Sequence, residues 1–367
     1  MHPRNFVAIT VLCPLVLLVV CTSAPAQTSS PAPIKSDATI ERKLRNMVLS
    51  NQPTPSPALL VLEKEDHSLA IVDPTALKVV GRVEAGPDPH EVVASDDGKY
   101  AYISNYGALA TPHHTLSVVD VIAQKPLPPI DLSPLLAPHG LQFLNGKVYF
   151  TTEGSKVIGS YNPASQRVDW ILGIGQNRTH MIFVSPGMVA PGVSRVFTSD
   201  VNSDTITIID PDKHADVTGW TETLVPVGQG PEGFDVSPDG QVLWAANAHD
   251  GTVSIIDVAT KKVVQTVDAN VKSANRLKFT LDGRLVLISL LGASDLVVMD
   301  ARSREVIKRI NLGEGSAGIL MNPNGHLAYV AVSRGNYVSV INLETLQVDG
   351  RIQTGKGPDG MAWAVGH

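Results

Sequence analysis

From Leu59 onward the chain is a succession of short apolar or alternating runs, broken by turns that carry Gly, Pro, Asn or Asp. Runs of that length with that punctuation predict β-strands and not helices. The clearest unit begins at Gly230 and reads GPEGFDVSPDGQVLWAANAHDGTVSIIDVATKKVVQTV. It holds four runs, FDVS, VLWAAN, VSIID and KVVQTV, and two of its turns are Asp239-Gly240 and Asp250-Gly251, dipeptides that accept positive φ. Four strands per unit is the pattern of a propeller blade.

The unit recurs. Aligning the residue five positions before the first turn gives His90, His139, His180, Glu232, Asn275, Ala317 and Asp359, spaced by 49, 41, 52, 43, 42 and 42 residues. The first repeat-like segment, LLVLEKEDHSLAIVD with LKVVGRV, lacks a first strand, whereas GPDGMAWAVGH at the C-terminus has a first strand and nothing after it. Joined, they complete one blade and leave no open sheet edge between them. The prediction is therefore an all-β, seven-bladed propeller over residues 57–367 whose last blade is closed by N- and C-terminal strands.

The segments ASDDGKYAYISNYG, VSPDGQVLWAANAHDGTVSIIDVATKKVV and NPNGHLAYVAVSRGNYVSVINLETLQV resemble the YVTN-type β-propeller repeat of bacterial exported and archaeal surface-layer proteins. The resemblance runs over Leu59 to Val365 and is weaker in the second and third repeats, where Leu144-Asn145-Gly146 and a longer Pro186-to-Pro191 stretch replace the Asp-Gly turn. It implies the fold, but related propellers include cytochrome d1-like domains, lactonases, lyases and binding scaffolds, so it does not select a chemistry.

Lys plus Arg number 29 against 35 Asp plus Glu, with no polybasic run or basic stripe interleaved with aromatics, which argues against nucleic acid as a partner. The start of the chain reads as an export signal over 1–26: His2 and Arg4, an apolar run from Phe6 to Val20, then Ala24-Pro25-Ala26. Residues 27–56 are rich in Pro, Ser, Thr and Ala and read as a tether, with a helical turn expected around Ile40 to Leu49. The expected location is the periplasm or the exterior, with membrane attachment only if Cys21 is lipidated. Both cysteines, Cys13 and Cys21, lie in the export segment. A cleaved chain then offers no disulfide, thiolate nucleophile or Cys-ligated metal, and the expectation drawn from this is no haem c. No phosphate-binding glycine loop or nucleotide fingerprint occurs, so no nucleotide cofactor is expected.

In a propeller the first strand of each blade is innermost, so the resemblance implies that the seven aligned residues ring one mouth of the channel. Three imidazoles beside carboxylates suit a divalent transition metal, giving His90, His139, His180, Glu232 and Asp359 as candidate ligands. Loops following the second strands add Asn105, Tyr106, His113, His114, Glu153 and His249 as candidate ligand-binding residues. Asn275 joins them from the ring. Arg276 stands where four repeats have Gly, at 140, 233, 318 and 360, and reads either as an anion-binding cation or as a bridge to Glu232 or Glu91. Two functions stand: a monomeric module that binds a small molecule, metal or protein at this mouth, or a metal-dependent lactonase- or lyase-like enzyme using the same ring.

Overall fold

The computed structural model describes residues 52–366 except 109, 191–192 and 213–218. The export segment, the turn expected near Ile40 and almost all of the tether lie outside the described residues. Seven sheets of four antiparallel strands form the blades. Blades 1 to 6 begin with inner strands Pro89–Ala94, Pro138–Leu144, Thr179–Ala190, Pro231–Val236, Ala274–Phe279 and Ile319–Met321. Blade 7 takes its inner strand, Pro358–Ala364, from the C-terminus and pairs it with Ala58–Glu63, in register from Ala58 against Ala364 to Val61 against Met361. The ring is thus closed as the chain phase predicts.

The core lies between blades. Leu60 and Ile71 of blade 7 pack with Ile103 and Val119 of blade 1, and Trp244 and Ile255 of blade 4 with Leu277 and Ile288 of blade 5. Each such side chain contributes about 1.5–3 kcal/mol when fully buried, and no blade could bury its faces alone. The glycine after the ring residue answers to the crowding of the inner strands. A Cβ at Gly140 would lie 2.5 Å from His180 O, and one at Gly318 2.2 Å from Asp359 O.

The Asn or Asp that ends many second strands ties the second strand to the third. Asn105 Nδ2 donates to Thr115 Oγ1 at 2.9 Å and Ser117 Oγ at 3.0 Å, and Asn247 Nδ2 to Thr252 Oγ1 at 2.8 Å and Ser254 Oγ at 3.0 Å. Asp200 fills this position in blade 3, accepting from Thr207 Oγ1 at 2.6 Å and Thr179 Oγ1 at 2.9 Å. Burial outweighs these hydroxyls and raises its carboxyl to about 6. An acid raised in the folded state binds a proton there that the unfolded chain has released. Stability therefore increases as pH falls from about 6 toward 4. Asp200→Asn removes the ionised form, and its melting temperature should exceed the wild type's at pH 8, with the gap closing toward pH 4.

Candidate functional site

The ring residues are presented by a repeated backbone kink two positions earlier. Asp88, Ala137, Arg178 and Ser273 adopt φ of 51°, 57°, 56° and 61°, and Gly230 and Gly357 stand at 67° and 63°. Only glycine takes this left-handed conformation freely. Two charged side chains, Asp88 and Arg178, are therefore held at strained positions beside the mouth, where they help line a cavity of about 490 Å³.

On one side of the cavity His90, His139 and His180 stack across blades 1 to 3, with ring centroids 4.7 Å and 3.9 Å apart in that order. Their environments set different charges. His180 Nδ1 donates to Glu153 Oε1 at 2.5 Å, and Nε2 faces Glu232 Oε2 at 3.0 Å, away from the best hydrogen-bond direction, as an ion pair. Burial disfavours its protonation, but Glu232 and Glu153 together outweigh burial and raise its pKa. The same contact lowers Glu232 to about 2 against the cost of its own burial. Arg178 closes the group, with Nη1 3.0 Å from Glu232 Oε1 and Nε 3.5 Å from Glu153 Oε2. Tyr106 donates to the same Glu153 Oε2 at 2.7 Å.

His139 is the opposite case. It is 3% exposed, its Nδ1 has no hydrogen-bond partner, and burial followed by the positive His180 beside it holds its pKa well below the usual imidazole range. His90 is also held neutral, first by burial and then by Lys64. Its Nδ1 donates to Asp88 O at 3.0 Å, which leaves Nε2 to accept from Lys64 Nζ at 2.7 Å. Of the three histidines, only His139 keeps a neutral ring free of ionic partners.

Blades 5 to 7 form the other side. Arg276 reaches across the channel from blade 5 to blade 1 and donates to Glu91, so the bridge reading of Arg276 holds and the mouth has a charged floor. Asn275, Ala317 and Asp359 line the wall above it, and Asp359 Oδ2 lies 3.8 Å from Lys64 Nζ.

Within the expected metal set, His180 is paired with Glu232, while His90 Nε2 and Asp359 Oδ2 both face Lys64 Nζ, at 2.7 and 3.8 Å. The buried cluster whose ligand atoms all lie within 4.8 Å is His139, Glu153 and His180, in which both nitrogens of His180 already face carboxylates. His113, His114 and His249 do not line the cavity: His114 Nδ1 faces Asp131 Oδ1 at 2.9 Å, and His249 packs over Gly230. Asn105 is buried in its strand-linking role. Lys64, His67, Asp88 and Arg178 line the cavity without having been singled out from sequence. Arg178 could have been found by its register, a long cation two positions before a ring residue where other repeats carry Gly, Ala, Ser or Asp.

Fold and site together define a seven-bladed propeller with a charged, histidine-lined mouth. The cytochrome D1 heme domain model matches residues 137–330, and the chain belongs to that family. Among solved structures it is similar to Kuenenia stuttgartiensis hydrazine synthase, at 19% identity and TM-score 0.61 over 75% of this chain and 89% of that one. A Bacteroides uniformis ATCC 8492 protein proposed to be a 6-phosphogluconolactonase matches at 14% identity and TM-score 0.67, over 84% and 99% of the two chains. The dihydro-heme d1 dehydrogenase NirN, in complex with DHE, matches at 15% identity and TM-score 0.57, over 82% of this chain and 64% of that one. At these identities the likenesses establish the fold. A search of curated protein sequences found no match.

The family corrects the cofactor expectation. A divalent transition metal with no haem c was inferred from histidines and missing cysteines, whereas the family match points to a haem-type cofactor. The cysteine argument bears only on thioether attachment. A macrocycle held by an axial histidine and polar contacts requires no cysteine. Among the described residues no helix is long and apolar enough to cross a membrane.

Proposed function

We propose that this chain is an exported binding propeller, periplasmic or secreted, whose mouth holds a haem-type group with His139 as iron ligand. The observation that carries the reading is the His139 ring: neutral, buried at the cavity wall and without a partner on Nδ1. An imidazole must be neutral to ligate iron, and an unpartnered buried nitrogen costs about 1–3 kcal/mol unless something occupies it. Lys64 and Arg178 suit the carboxylates such a group carries at its edge, and their side chains are 32% and 37% exposed toward the mouth. Leu291 and Ala317 are the apolar parts of the lining, so the residues fit a carboxylate-bearing macrocycle lying across the mouth better than one sunk in an apolar slot. When bound, the iron would supply one-electron chemistry or an open position for a small ligand. The protein's part is to orient the group through His139, to keep that ring neutral through the charged His180, and to fix the rim cations through Glu232 and Asp88.

The test is an absorption titration of purified protein with d1-type haem and with ferric protoporphyrin IX. Wild type should give a saturable spectral shift at one equivalent, and His139→Ala should lose it at least tenfold in affinity. Retention of the full shift in His139→Ala, or no saturation with either compound, would count against the reading.

A further inference from the structure

The half of the mouth formed by blades 5 to 7 carries features the haem reading does not use. Asn275 and Asp359, each 8% exposed, line the cavity, and Oδ1 of both is buried without a hydrogen-bond partner. Native proteins leave few buried polar atoms unsatisfied, and each costs about 1–3 kcal/mol. Between them in ring order stands Ala317, the one ring residue without a polar side chain, so this part of the lining offers a ligand a small apolar surface. Ser333 Oγ, also on the lining, spends its proton on Pro358 O at 2.6 Å and faces a ligand as an acceptor. The adjacent cations face carboxylates: Arg276 pairs with Glu91 beneath, and Lys64 Nζ, which meets His90, lies 3.5 Å from Asp88 and 3.8 Å from Asp359 Oδ2.

We infer that the Asn275–Ala317–Asp359 wall is a second ligand site in the mouth, separate from His139, that takes a small molecule through N–H or O–H donors. The two unpartnered atoms of the wall are both acceptors, and one belongs to a carboxylate, which selects ligands that bring ammonium or hydroxyl groups. A ligand here would lie beside a group bound at His139, within the same cavity of about 490 Å³. The site does not depend on the haem reading, because none of its atoms belongs to the histidine wall. Burial holds the Asp359 carboxyl up at about 6 against Arg276 and Lys64, so the ammonium form of the ligand should bind more weakly below that pH.

The experiment is a titration of the full chain, without added haem, followed by 1H–15N NMR with methylammonium, ethylene glycol and formate as separate probes. Saturable shifts centred on Asn275, Ala317 and Asp359 with methylammonium identify an ammonium site, and the same shifts with ethylene glycol identify a hydroxyl site. Asp359→Asn should weaken methylammonium at least tenfold, Asn275→Leu should weaken both probes, and His139→Ala should leave both unchanged. Amide spectra of each variant check that it is folded. Failure of His139→Ala to lose haem would sink the haem reading and leave this site standing. Absence of saturation with both donors, stronger binding of formate than of either donor, or donor binding unchanged in folded Asp359→Asn and Asn275→Leu would overturn it.

Discussion

Arg276→Ala is expected to destabilise the propeller by about 3–5 kcal/mol, the range for removing one partner of a buried ion pair. Arg276 is 5% exposed and its guanidinium serves Glu91 across the channel while facing Asp359 and Glu232. Truncation leaves Glu91 buried without its cation and weakens the compensation of Asp359 and Glu232, which keep Lys64 and the Arg178–His180 pair. The pair joins blades 1 and 5, which share no sheet, so its loss loosens the ring as a whole. Thermal and urea melts measure the effect. Glu91→Gln combined with Arg276→Met removes both charges and should recover most of the loss, because apolar replacement of a buried pair is often close to neutral. A double variant as unstable as Arg276→Ala would show that packing, and not the uncompensated charge, is what matters.

His180→Ala should cost a similar amount at neutral pH, with a different dependence on acid. Glu153 and Glu232 then face the vacated space with Arg178 as their remaining ion-pair partner, at 3.5 and 3.0 Å. In the wild type Glu232 is depressed to about 2, so its contribution is complete above the ordinary glutamate range and is lost as pH falls through about 4 toward 2. In the variant both carboxyls take up protons at higher pH, which removes their repulsion. The stability deficit should therefore be largest at about pH 5 to 6.5, shrink below about pH 4 as Glu232 takes up its proton, and shrink again toward alkaline pH as His180 gives up its own, read from melting temperatures across that range. A deficit constant with pH would assign the loss to packing of the His139 stack instead.

The register was legible in the sequence because each blade repeats one solution to one problem, an inner strand crowded against its neighbours. Hence the glycines at 140, 233, 318 and 360, and hence the alignment that brings His90, His139 and His180 together. Closure by the two termini was legible for the same reason. The charges inside the mouth were less so. Lys64 enters from the turn after the second strand of blade 7, and Arg178 acts through a strained backbone angle, which a residue pattern does not display. Asn105 looked like a ligand residue but ties strands, since an amide at a strand end serves either purpose until its partners are known. The cofactor was misread because a missing cysteine limits only how a haem can be attached.

The central claim, that a haem-type group sits in this mouth on His139, is tested most directly by a crystal structure of the protein loaded with d1-type haem. The account predicts iron bonded to the His139 imidazole, with carboxylates of the macrocycle against Lys64 and Arg178. Iron bonded to another residue, or a macrocycle bound outside the ring of inner strands, would contradict it.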